Sequence, residues 1–81
     1  MWDIEVFEDG AKWSLRLAGE PSLASFATFD QAENRARWMA TRQTVRGADA
    51  QVRLLDAHGR EIGRWVDECF IAPAQPNRRA A

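Results

Sequence analysis

Cysteine is nearly absent. Cys69 stands alone, so no internal disulfide can staple the chain. Proline and glycine are sparse, at three and five among 81 residues, which excludes a linker or low-complexity segment as the main body. Lysine is reduced to Lys12; arginine carries the remaining positive charge, and this reads as a coding bias without functional content. Long apolar runs are missing, as is a basic-plus-apolar leader, so the chain is expected to have no membrane span and to reside in a reducing cytoplasm. Charge of one sign is not in excess either. A net charge of -1 and a pI near 5.7 give no long-range attraction for phosphate polymers or anionic membranes, so a nucleic-acid role needs a local patch.

The usual marks of catalysis and cofactor binding are lacking as well. Gly10, Gly19, Gly47, Gly59 and Gly63 are scattered and form no phosphate loop. Asp56, His58, Glu61, Asp67 and Glu68 offer ligand atoms but match no metal-loop spacing, and there is no paired-cysteine motif. His58 and Cys69 would form a nucleophile and base only if a pocket enclosed both, and their spacing does not suggest it. The expectation is a non-enzymatic chain with no metal, cofactor or small-molecule ligand.

What is present is a folding composition: 46% hydrophobic, 28% charged, with four tryptophans. At this length a second core could not offset its own conformational entropy, so one domain over 1–71 is expected, followed by a flexible tail over 72–81 that carries two prolines and paired arginines. Trp2, Ile4 and Val6 alternate with Asp3 and Glu5, the period-two pattern of a half-buried strand. Asp9-Gly10 then signals a tight turn, and Trp13, Leu15 and Leu17 resume the alternation, giving a hairpin over Trp2 to Ala18. Gly19 to Ala27 reads as a connection, with Leu23 or Phe26 available to pass under a helix.

Thr28 with Gln31 makes a capping box, Asp30 and Glu33 suit the positive end of a helix dipole, and Arg42, Arg46 and Gly47 suit its stop. These signals place a helix over Phe29 to Val45. Its sheet-facing side is Phe29, Ala32, Ala36, Met39, Ala40 and Gln43, mostly small residues that permit close packing; Glu33 and Arg37 are spaced for an ion pair. Gln51 to Asp56 and Arg60 to Val66 form a second hairpin around Ala57-His58-Gly59, and Asp67 to Ile71 is apolar enough at Phe70 and Ile71 for a short extra element. The predicted fold is therefore α+β: a four-stranded antiparallel sheet from two β-hairpins, with one helix on one face (ββαββ).

Trp38 projects about 180° from Phe29 and Ala36 and should be exposed, beside Asn34, Thr41 and Val45 and flanked by Arg35, Arg37 and Arg42. Aromatic and arginine side chains are enriched where proteins meet partners. Three readings stay open for this patch: cover by Phe70 and Ile71 of the same chain, a protein interface such as a homodimer, or nucleic-acid binding by phosphate contacts and stacking. A second candidate surface is the sheet face opposite the helix, where Phe7, Leu55 and Trp65 are expected to cluster. The functional expectation is an interaction module, protein–protein first and nucleic acid as the alternative.

The Glu8-Asp9-Gly10 turn followed by Trp13, the Phe26-Ala27-Thr28-Phe29-Asp30 lead into an alanine-lined helix, and Asp56-Ala57-His58-Gly59-Arg60-Glu61-Ile62 occur in this order. In that order the chain resembles the YdaT-like family of small bacterial domains of unknown function, over about Trp2 to Val66. The resemblance implies a ββαββ unit; it implies no activity and transfers no functional residue. The Gly19 to Ala27 loop and the segment after Asp67 depart from the family pattern.

Overall fold

The chain begins in the middle of its own sheet. In the computed structural model, which describes residues 1–73, β1 (Trp2–Asp9) turns at Gly10 into β2 (Lys12–Leu17), with Ile4 opposite Leu17 and Val6 opposite Leu15. Gly10 holds φ +67, the left-handed backbone that favours glycine in this turn. A short β3 (Ala24–Phe26) then pairs antiparallel with β2, bringing Phe26 opposite Trp13. Helix α1 (Phe29–Val45) follows, then β4 (Ala50–Leu55), β5 (Glu61–Val66) and β6 (Cys69–Ile71). The strand order is β3-β2-β1-β4-β5-β6.

The four-stranded antiparallel sheet expected from the sequence is not what forms. The sheet has six strands and is mixed, because β1 and β4 run parallel at its centre, with Trp2 beside Ala50 and Ile4 beside Val52. The overall class remains α+β. The cause is β3. It reverses the chain once more before the helix begins, so α1, about 25 Å long, runs back to the end of the sheet where β1 starts. The Trp2 N–H donates to the Asp49 carbonyl at 2.7 Å, and β4 leaves in the direction of β1. Without that extra reversal the helix would have delivered β4 antiparallel. β6 is the short element expected after Asp67, and the expected flexible tail falls, beyond Pro73, outside the described residues.

The helix termini follow the sequence signals. Thr28 is extended (φ -130, ψ 157) and its hydroxyl accepts from the Gln31 N–H, while the Gln31 carboxamide oxygen accepts from the Ala27 N–H. Ala32 and Ala36 are fully buried and let α1 lie close on Ile4, Val6, Leu15, Val52 and Leu54, which make up the core. Trp13, edge-on to Phe29 at 5.0 Å, and Phe26 close one side. α1 lies over β3, β2, β1 and β4. β5 and β6 extend past it, and that overhang positions the site. Among the described residues no helix is long and apolar enough to cross a membrane.

Candidate functional site

Trp65 organises the overhang. It stands opposite Val52 in the β4/β5 register, so it shares the helix side of the sheet, not the outer side with Phe7 and Leu55 as the alternation suggests. The reason is a bulge. Leu55 pairs with Glu61, but Leu54 pairs with Gly63, leaving Ile62 as the extra residue. An unbroken register from Leu55 and Glu61 would bring Trp65 opposite Gln51 on the outer face; one inserted residue moves it to the other side.

Three groups hold the ring. Its indole N–H donates to Glu33 Oε2 at 2.9 Å, the Arg37 guanidinium lies over it at 3.7 Å, and Phe70 meets it edge-on at 5.4 Å. Glu33 and Arg37, spaced for an ion pair with each other, are both turned to Trp65. Phe70 also lies across Gly63, where a Cβ would come within 2.5 Å of its ring. Phe70 is thus engaged on the sheet, not folded over Trp38.

Trp38 is half-exposed on the solvent side of α1, as its helical position requires. Arg35 and Arg42, one turn before and after it, hold their guanidinium groups 5.0 and 4.9 Å from its ring. Val45, at 81% exposure, continues the same stripe towards β5. Between this stripe and Trp65 runs a groove of about 290 Å³. Ala40, Val45, Val52 and Trp65 give it apolar walls, with Arg37 at one rim and Asp67 and Glu68 at the other. Asp67 and Glu68 form the two-residue β5–β6 turn, both with positive φ (50 and 63), and neither enters an ion pair among the described residues. The volume lies near the lower end of the roughly 300–1,000 Å³ of small-molecule pockets. That is room for one or two amino-acid side chains.

Sequence reasoning placed Trp38, Arg35, Arg37, Thr41, Arg42 and Val45 on this side but missed Thr44, Asp67 and Glu68. The signal was available. Arg37, Thr41 and Thr44 lie on the helical wheel between the alanine face and Trp38, the arc that must border whatever the alanine face leaves uncovered.

The outer sheet face is different in kind. Glu5, buried there, accepts from Arg16 at 2.7 Å and Arg53 at 2.8 Å; Arg53 also reaches Glu61 at 3.2 Å, and Arg64 binds both Glu61 oxygens at 2.7 and 2.8 Å. Arg64 donates to Gln51 at 3.2 Å and Arg53 lies 3.7 Å from Asp3. Arg16 covers the Phe7 ring at 4.4 Å, and Leu55 is buried. Three arginines and three carboxylates therefore satisfy one another across β2, β1, β4 and β5, leaving Phe7 and Leu55 little apolar surface to offer.

This network predicts an acid response. The Arg64 hydrogen bonds, then those from Arg53, hold the Glu61 carboxyl below its ordinary 4.5. A carboxylate whose folded pKa is depressed stabilises the fold above its unfolded pKa and loses that contribution as pH falls through the folded value. Thermal melts should be level from neutral pH down to about 5 and decline below 4.5. Glu61→Gln should remove part of the decline, about 1 kcal/mol or less because its partners are part-exposed. An equal decline in wild type and Glu61→Gln would show that the pairing carries no stability.

His58 precedes the start of β5 and Cys69 stands beside Val66 at its end, and the strand between them spans roughly 20 Å. They cannot act on one substrate atom together. Among the described residues no group of three His, Cys, Asp or Glu side chains is placed to hold a metal ion. In comparisons with known proteins, no family model, no curated protein and no solved structure matches the chain.

Proposed function

We propose that this protein is a non-enzymatic docking module that takes an apolar peptide segment of a partner protein into the groove between α1 and β5, beside Trp38. One observation carries the reading: the helix meets β5 only through Glu33 and Arg37 at Trp65, and the gap beyond them is an apolar groove walled by Val45, Val52 and Trp65. The outer sheet face has already spent its charges on itself. Large aromatics and arginines in such positions supply much of the affinity of protein interfaces. The acidic rim at Asp67 and Glu68 favours a segment with a lysine or arginine next to its apolar anchor.

Peptide display against the intact protein tests this, with a Val45→Glu variant as the counter-selection. Val45 is 81% exposed, so the variant should fold normally and melt within about 0.5 kcal/mol of wild type. The expected result is enrichment of peptides with an aromatic or aliphatic anchor near a basic residue, which lose at least tenfold in affinity on Val45→Glu. Peptides that bind both proteins equally, or no enrichment, would reject the groove as the docking surface.

The nucleic-acid alternative draws on Arg35 and Arg42, but both guanidinium groups already lie against the Trp38 ring that a base would stack on. Binding to a short DNA duplex that weakens steeply with salt and on Arg35→Ala with Arg42→Ala would favour that alternative.

A further inference from the structure

Among the described residues the sheet ends at β6, and this edge is independent of the groove. Val66 and Cys69 flank the two-residue Asp67-Glu68 turn and face each other in the β5/β6 register. In such a hairpin the flanking pair exchanges both backbone hydrogen bonds. The N–H and C=O of Cys69 and Ile71 therefore point inward to β5, and those of Phe70 point outward, beyond the last strand of the sheet.

An edge of this kind is a template for another strand. Native edges are usually protected by a charge, a proline or a bulge within the strand; Cys69-Phe70-Ile71 contains none of these. Its two large side chains are half-exposed, Phe70 at 50% and Ile71 at 48%. The opposite edge, β3, is better guarded: Phe26 packs against the core and Ser25 is tied to Ser14 at 3.3 Å.

We infer that β6 pairs with β6 of a second copy of this chain, antiparallel about a two-fold axis through Phe70. The outward groups of Phe70 select this register, since the two Phe70 residues then exchange both hydrogen bonds. Cys69 comes to lie opposite Ile71 of the partner subunit. The match is also clean in charge. The Asp67-Glu68 turns precede β6 in each copy and so lie at opposite ends of the antiparallel pair, where the acidic groups do not meet. A two-fold axis perpendicular to the sheet keeps both α1 helices on one side. Trp65 and Phe70 of each copy then line the floor of one trough between the two helices.

The register makes a specific thiol prediction. Cys69 and the partner's Ile71 form a non-hydrogen-bonded pair, with Cα atoms about 4.5 Å apart, inside the range a disulfide bridges. The two Cys69 thiols are two residues out of register with one another. In oxidised glutathione, which takes up the two electrons as the thiols give up their protons, Ile71→Cys should form a cross-linked dimer within the time wild type stays uncrosslinked. Sedimentation equilibrium of wild type should show a monomer–dimer equilibrium that Phe70→Asp shifts at least tenfold towards monomer. Wild type that is monomeric up to about 1 mM would overturn the inference. So would a dimer that Phe70→Asp leaves intact, or one in which wild type cross-links as readily as Ile71→Cys.

Discussion

Ile4→Ala should cost about 3–4 kcal/mol, the range for truncating a fully buried aliphatic side chain that leaves a cavity. Ile4 sits where the two halves of the molecule join: Leu17 of β2 lies opposite it on one side and Val52 of β4 on the other, with α1 above. Those neighbours belong to three different elements, so the site cannot collapse by moving one of them. For a domain of this size such a loss is a large part of a total of roughly 5–10 kcal/mol. It should lower the melting temperature by about 15–25 °C. Ile62→Ala is the matched control, because Ile62 bulges outward and is half-exposed; it should shift stability by about 0.5 kcal/mol or less. Equal losses for the two substitutions in calorimetry would mean that the parallel β1–β4 seam is not the centre of the core.

Ala36→Leu is the second large effect, at about 2–3 kcal/mol. Alanine and leucine are both good helix formers, so backbone propensity cannot account for a loss. The cost would come from pushing α1 away from the sheet at a residue that has no exposed surface. Raising the helix would also strain the Glu33 to Trp65 hydrogen bond, so the indole N–H resonance of Trp65 should broaden or move in a folded variant. Urea unfolding reads the first effect and nitrogen-15 spectra the second. A variant as stable as wild type would show that the helix does not need a small face to seat itself.

The helix was legible from end to end, Phe29 to Val45, because its boundaries are set by local chemistry: a threonine cap, a glutamine reaching back, a glycine stop. The first hairpin was legible for the same kind of reason. β3 was not, since three residues offer no alternation to count, and yet it sets the direction of everything after it. The parallel seam between β1 and β4 follows from that one missed reversal.

The candidate site divides in the same way. Trp38 and Val45 were found as exposed residues because their position depends on helical spacing alone. Trp65 was assigned to the wrong face because its side depends on the bulge at Ile62, a feature of strand pairing that the sequence of one strand does not contain. The capture of Glu33 and Arg37 by Trp65 depends on that placement in turn. Local features were readable, whereas features decided by how distant strands meet were not.

The claim that the helix side of β5 is the working surface is tested most directly by NMR titration of the intact protein with a peptide enriched by the display. The prediction is a contiguous set of amide and side-chain shifts at Ala40, Thr41, Val45 and Trp65, with Glu68 responding to the basic residue of the peptide and Phe7 and Ser14 unmoved. Shifts centred on Phe7, Leu55 and the Arg16–Glu5–Arg53 network would contradict the account and transfer the function to the outer face of the sheet.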